Sequence, residues 1–499
     1  MRQVIQFANR FRWFQVTVVA ALALMIHGSA WAQFGEVVQP PESLKVGFDS
    51  ITAEQSKEFL SVLAGPGFEG RGTGQAGYTK AAHWVAGKLA EYGLEPVGDN
   101  GTYFQMLPMK RRVIDIDQCS IRGPEDFEMA ADGNFGLERF TNEQVTTGDV
   151  VFVQFSDPTS RLPEDLSLRD KIVVYSASSA ARNVARQIAF KRPLAALRII
   201  DGVPRSRSQL VRSGGRSRNT SVSGTIHVDS ATRLAKALGG NEKWVTLDDN
   251  QKGVAINDSG KSIDLRMRFR VEQAAVPNVV AWLEGSDPKL KSEYVVLGSH
   301  LDHLGIQNGL VFPGADDNGS GSTAVLNIAK AMATNKNRPK RSVLFIWFAA
   351  EEIGLIGSKH YCDNPMLPLD KMICMFNIDM VGRNEETSAE TAEENEGSIH
   401  LVGSKKGNTD IHEIVEKANR HVGFRFELDE EDVFGRSDQI NFYKKGVPVA
   451  FLFGGFHPDY HQPGDQPEKI NYKKIASAAK LYYMAIHLAS EHGPFEMER

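Results

Sequence analysis

The chain has 499 residues, is 41% hydrophobic and 24% charged, and carries a formal net charge of −5. That length suits two or three domains, and so small a net charge gives no global attraction to nucleic acid or to an anionic membrane. With three cysteines, Cys119, Cys362 and Cys374, the chain is not a disulfide scaffold. Cys362 and Cys374 are candidates for a bridge that spacing alone does not decide, and stability must come from a large core or from bound metal.

Residues 1–32 read as a secretory signal peptide. Arg2, Arg10 and Arg12 precede an apolar run from Trp13 to Ile26, and Ala30-Trp31-Ala32 supplies a small-x-small cleavage pattern. The run is shorter than the roughly 20 residues a membrane span needs. The mature chain is expected to start near Gln33, to carry no stable membrane span, and to be secreted or periplasmic. Residues 33–49, with Pro40-Pro41, read as a linker.

From Ser50 to Tyr92 the pattern is helical, broken by the glycine-rich loop Gly65–Gly74. Residues 116–265 change character. GDVVFVQF and DKIVVYS are short β-rich runs between turn residues, which marks a smaller β-rich inserted domain. Within it, the stretch 176–220 is strongly basic, either a solvated face or a docking patch for an anionic partner.

Beyond Pro277 the pattern becomes regular. PNVVAWLEG, EYVVLGSH, SVLFIWFAA, MICMFNIDM, SIHLVGS and VPVAFLF are apolar runs, with amphipathic helical segments at 319–334, 408–421 and 473–490. Apolar strands alternating with helices predict a mixed, mostly parallel central sheet with helices on both faces. Residues 50–115 and 266–495 would make up this catalytic domain. Ligand sites in such sheets lie beyond the carboxyl ends of the strands.

Metal-type side chains sit at those ends. They are His300, Asp302 and His303 in SHLDHLG; Asp316 and Asp317 in GADDNGSG; Glu351 and Glu352 in FAAEEIG; Asp379 in NIDMVGR; and His461 and Asp465 in YHQPGDQ. Each alone has a bland explanation, such as a capped histidine or a turn aspartate. Their convergence does not. Adjacent carboxylates after a buried strand repel unless something positive compensates them, and imidazole with carboxylate suits zinc.

The order H-x-D, DDNGSG, EE, D, YH resembles the dinuclear zinc aminopeptidases of family M28. EGRGTGQAGYTKAA and GRSDQINFYKKGVPVAFLF are similar to that family as well, and 145–240 resembles a protease-associated domain. The resemblance implies two zinc ions per chain. His300 and Asp379 would hold one, Glu352 and His461 the other, and Asp317, which precedes NGSG, would bridge them. It implies Asp302 as the residue orienting the His300 imidazole, Glu351 as general base, Tyr460 as oxyanion stabiliser and Arg436 as a substrate contact. Gln439 and Gln466 depart from the family's usual His and Thr. His303 and Asp316 are not assigned as ligands and read as residues that support the ligands or the fold, and His400 and His457 lack motif context.

The residue types fit that chemistry. Two zinc ions sharing a water lower its pKa, and a non-ligand glutamate can take its proton and pass it to the leaving amine. One glutamate of the pair binds metal and the other moves protons. The expected substrates are peptides with a free N-terminus. The rival readings are a carboxypeptidase on the same core, a one-zinc glutaminyl cyclase, and a non-catalytic binding protein. A complete set of five ligands favours the two-metal peptidase. The segment 384–397, NEETSAETAEENEG, reads as a solvated acidic loop or as a flap favouring cationic peptides.

Overall fold

The computed structural model describes residues 37–499 except 141–144, 157–159, 177–181, 207, 213–220, 247–252, 308, 407–408, 429–430, 496 and 498–499. The expected signal peptide lies outside the described residues, as do parts of the basic stretch 176–220. The chain divides into two compact units. One combines the residues up to Leu107 with Ala275–Arg499; the other is Pro108–Ala274. These junctions lie several residues outside the expected insert 116–265. The reason is strand pairing: Met109–Ile114 runs antiparallel to Phe269–Gln273 and also pairs with Gln209–Arg212. Both flanking stretches therefore belong to the insert.

The first unit is built on a nine-stranded sheet. Its strands are β1 (Glu95–Pro96), β2 (Phe104–Met106), β3 (Pro277–Leu283), β4 (Tyr294–His300), β5 (Ser342–Phe348), β6 (Met372–Asp379), β7 (Ser398–Val402), β8 (Arg425–Glu427) and β9 (Val449–Phe453). The order is β1-β3-β5-β4-β6-β9-β7-β8, with β2 also on β3. The four central strands, β5-β4-β6-β9, are mutually parallel, while β3 and β7 run against them.

Helices cover both faces, so nearly every residue of the central strands is buried. Alternation sorts the side chains. Trp347 turns to α4 (Gly321–Thr334), donating its Nε1–H to the Ser322 carbonyl at 3.2 Å. Its neighbour Phe348 faces the other way, toward Phe442 of α7 (Gln439–Tyr443). Helices α5 (Ile356–Asp363) and α6 (Asp410–Asn419) lie between these in the chain, and α8 (Tyr472–Glu491) closes it, its Tyr482 against Phe376 of β6. Preceding them are α1 (Glu42–Ser50), α2 (Ala53–Leu63) and α3 (Ala76–Glu91).

Helix α1 corrects the linker assigned to 33–49. Leu44, Gly47 and Phe48 are buried at helical spacing, and the Leu44 carbonyl accepts a hydrogen bond from Tyr483 Oη at 3.1 Å. The polar residues between them face outward and disguise the apolar stripe. Among its described residues the insert carries an eight-stranded and a three-stranded sheet and two α-helices. In the described part of its basic stretch, Val184 and Ile188 are buried at i and i+4 on the helix Arg182–Phe190 while Arg186 is exposed. All three cysteines are buried and free, so Cys362 and Cys374 are not bridged.

Candidate metal centre and cleft

Parallel strands deliver the chemistry. His300 is the last residue of β4 and Asp379 the last of β6. Glu351 and Glu352 follow β5, and His461 follows β9 by a loop. Because the four strands point the same way, all of these reach one end of the sheet. Asp317 arrives from the segment Ala315–Ser320 that leads into α4. The five proposed ligands and Glu351 are thus brought together within one unit.

The His300 ring is fixed by its backbone. Its Nδ1–H donates to the carbonyl oxygen of Asp302 at 3.0 Å, and a carbonyl can only accept. The lone pair on Nε2 therefore faces carboxylate oxygens, Asp379 Oδ1 at 3.2 Å and Asp317 Oδ1 at 3.4 Å. On the other side of Asp317, His461 Nε2 lies 3.0 Å from Oδ2 and 3.2 Å from Glu352 Oε2. Lone pair against anion is repulsive unless a proton or a metal ion lies between. Burial alone would lower the His300 pKa, but the Asp379 and Glu351 carboxylates outweigh it and push it well above the usual value. His461 is driven up to about 10 against its burial by Asp317 and Glu352. The cluster demands positive charge, and its N/O donors fit zinc: His300, Asp317 and Asp379 form one close set and His303, Asp317 and Glu352 another, with His461 against the carboxylates of the second.

The adjacent glutamates diverge. Burial pushes the Glu351 carboxyl well above the usual carboxylate range, more than His300 brings it down. Burial would raise Glu352 too, but hydrogen bonds from His303 and His461 outweigh it and hold that carboxyl well below the usual range. Glu351 Oε2 stands 4.0 Å from His300 Nε2, farther than the carboxylate oxygens of Asp379 and Asp317.

Asp302 meets His300 through its main chain. Its backbone oxygen, not its carboxylate, orients His300. The carboxylate accepts from the Thr73 hydroxyl and from the Glu351 N–H at 3.1 Å, so it fixes the backbone of the proposed base. Tyr460 stacks on His461, ring centroids 3.9 Å apart, and Arg436 reaches the Tyr460 hydroxyl at 3.4 Å. Both line a cleft of about 370 Å³ that also includes His300, Glu351 and the apolar side chains of Met380, Val433, Phe451, Phe453 and Phe456.

Several residues without an assigned catalytic or ligand role support the site. His303 Nδ1 contacts Glu352 Oε1 at 2.6 Å, leaving Oε2 for His461. Gly314 lets that imidazole fit: at φ +59° a Cβ there would lie 2.5 Å from the His303 ring. Asp316 accepts the Gly382 N–H at 2.6 Å and faces the buried His457 at 3.2 Å. Asp465 receives the N–H groups of Asp316 and Asp317. Ser437 Oγ donates to Asp379 Oδ2 at 2.8 Å, and Gln439 holds Asn377 at 2.9 Å. Arg71 is fully buried, and its guanidinium donates to the carbonyls of Leu63, Leu301, Pro313 and Gly314. Three non-glycine residues in the left-handed region, Ala350, Met380 and His461, lie at or beside the ligands, where backbone strain concentrates in functional sites.

Residues 278–486 match the model of Peptidase family M28. Leucine aminopeptidase 2 of Trichophyton equinum is 29% identical over 267 residues, covering 48% of this chain and 51% of that protein. Leupeptin-inactivating enzyme 1 of Streptomyces exfoliatus is 33% identical over 249 residues, covering 49% and 51%. The chain spans about half the length of the curated relatives it matches. Among solved structures, a zinc aminopeptidase of Bacillus subtilis aligns with TM-score 0.55 at 19% identity, covering 90% of this chain and 98% of that one. An aminopeptidase from Aneurinibacillus sp. strain AM-1 gives 0.52 at 20% identity, covering 91% and 97%. At such identities these two establish the fold.

Proposed function

We propose that this chain, whose residues 278–486 match the model of peptidase family M28, is an exported two-zinc aminopeptidase of that family. The observation that carries the reading is Asp317, whose two carboxylate oxygens face two imidazoles, His300 and His461, each flanked by a further carboxylate. His300 and Asp379 would hold one zinc, Glu352 and His461 the second, with Asp317 shared. When bound, such a pair supplies a water of lowered pKa and polarises the scissile carbonyl.

The remaining work falls to the chain's own side chains. Glu351 is the general base: its raised pKa suits a group that accepts a proton and returns it to the leaving amine. The Asp302 carboxylate holds the Glu351 N–H and so fixes where that base points. The Tyr460 hydroxyl, 3.4 Å from Arg436, would donate to the developing oxyanion. The apolar wall of the cleft favours an apolar first side chain. The relatives named leucine aminopeptidase agree with that preference.

The test is metal content together with hydrolysis of aminoacyl chromogenic substrates, free and N-blocked. About two zinc ions per chain with cleavage of free substrates alone is the expected result. One zinc, or activity only on blocked or C-terminal substrates, would replace the reading with a cyclase or a carboxypeptidase. Export rests on the sequence of residues 1–32, and a mature N-terminus other than one near Gln33 in secreted material would overturn it. Among the described residues no helix is long and apolar enough to cross a membrane.

A further inference from the structure

The acidic stretch 384–397 is for the most part an exposed loop, as its sequence suggests, but it is pinned at two buried residues. Glu385 and Asn395 are buried, and Asn395 Nδ2 donates to the Glu385 carbonyl at 3.3 Å. The Glu385 carboxylate divides its oxygens. Oε2 accepts from His400 Nε2 on β7 at 2.9 Å, and Oε1 accepts the backbone N–H of Phe456 at 3.3 Å. The next residue closes the same clasp, the Glu386 N–H donating to the Phe456 carbonyl at 2.9 Å. Gly455 permits the approach: at φ +92° a Cβ there would lie 2.4 Å from the Glu385 Cβ.

What the clasp holds is a wall of the cleft. The Phe456 ring lines it and meets Phe453 and Tyr460 edge to face, with centroids 5.0 and 5.2 Å apart. The Arg436 guanidinium lies 5.0 Å over the same ring. Glu427 Oε2 stands 3.6 Å from His400 Nε2, so three donor atoms come as close as a metal set. Charge balance argues for positioning instead. Arg425 pairs with Glu427 at 3.1 Å, and the ammonium of the buried Lys474 lies in the field of both glutamates. Two carboxylates already face two cations, the buried Lys474 and the exposed Arg425, and a divalent ion would add positive charge that no further carboxylate of this set balances.

We propose that Glu385, held by His400, is a positioning residue that fixes Phe456 as the wall of the side-chain pocket and thereby sets discrimination between large and small apolar N-terminal residues. The inference rests on the aminopeptidase reading of the cleft.

The experiment measures kcat, KM and metal content for leucyl and alanyl p-nitroanilides with the full chain and the variants His400→Ala, His400→Gln and Glu385→Gln. Gln Nε2 can donate where His Nε2 does, so His400→Gln should retain the wild-type ratio. In His400→Ala the leucine-over-alanine preference in kcat/KM should fall about tenfold, chiefly through the leucine KM, the size of effect that pocket contacts give. Metal content should match that of the wild type. Should His400→Ala not fold, Glu385→Gln carries the comparison, since it keeps the side chain's shape and weakens one arm of the clasp; a partial loss of preference is expected. Equal falls for both substrates, an unmoved ratio, or the loss of a metal equivalent on changing His400 would each overturn the proposal. If the wild-type chain cleaves neither substrate, the aminopeptidase reading falls and this inference with it; if it cleaves both and the ratio stays fixed, only the inference falls.

Discussion

Two neighbouring glutamates carry opposite tendencies because their partners differ. Glu352 is gripped by two imidazoles and stays ionised, whereas Glu351 is largely desolvated, near Asp438 and Asp379, and is pushed toward its protonated form. Glu351→Gln should therefore keep the metal content of the wild type while kcat falls by about 10²–10⁴-fold, the usual contribution of a general acid–base group. A variant that loses metal in parallel would instead make Glu351 a ligand. Arg71 acts from behind the site. Burial lowers its pKa to about 10, which still leaves it cationic at neutral pH, and its fork spans four carbonyls. Lysine cannot match that geometry. Arg71→Lys should lower stability by about 3 kcal/mol, since buried carbonyls lose their donors, and should also weaken metal binding through the Gly314 loop. Urea unfolding and metal titration check both, and an unchanged metal affinity would confine Arg71 to the fold.

Elements explain why a site so acidic can be held. The ends of β4 and β6 are covered by α4 on one side, and Ser299 and the His300 carbonyl meet Ser322 of that helix. Helix α8 seals the same face and carries a titratable group in its core. His487 is buried against Tyr483, and its Nε2 has no hydrogen-bond partner among the described residues. Burial lowers its pKa to about 4. A histidine depressed below its unfolded value of about 6.5 takes up its proton in the unfolded chain first. Its contribution is thus full above about pH 6.5 and is lost as pH falls toward 4, by about 3 kcal/mol. Urea midpoints at pH 7 and pH 4.5 should differ less in His487→Leu than in the wild type. Equal pH slopes would exclude His487 as a source of acid lability.

At the scale of the molecule, the chain leaves and rejoins the first unit at one place. The Leu107 N–H donates to the Val276 carbonyl at 3.0 Å, and the Ala274 N–H to the Met109 carbonyl at 3.0 Å. An insert whose ends meet need not disturb its host. The apolar cores of Pro108–Ala274 are drawn from its own residues, Cys119 to Met267 in one cluster and Val151 to Ile188 in another. Expressed alone, residues 108–274 should unfold cooperatively in urea with a tryptophan signal from Trp244, which packs on Phe152. A featureless, non-cooperative transition would show that the insert depends on its host.

The sequence by itself determined the alternation of apolar strands and helices and the chain order of His300, Asp317, Glu351, Glu352, Asp379 and His461. Both are local: strand burial writes an apolar run, and a ligand at a strand end sits next to that run. Only the tertiary structure decided the rest. Arg71 meets Gly314 across 243 residues of chain, and His303 and Glu352 are 49 apart. Asp302 kept its place beside His300 but exchanged the roles of its backbone and side chain, which no motif records. Helix α1 and the clasp of Glu385 on Phe456 stayed hidden because their polar residues resemble those of free segments. What buries them is a partner distant in sequence, and burial is a property of the packed chain.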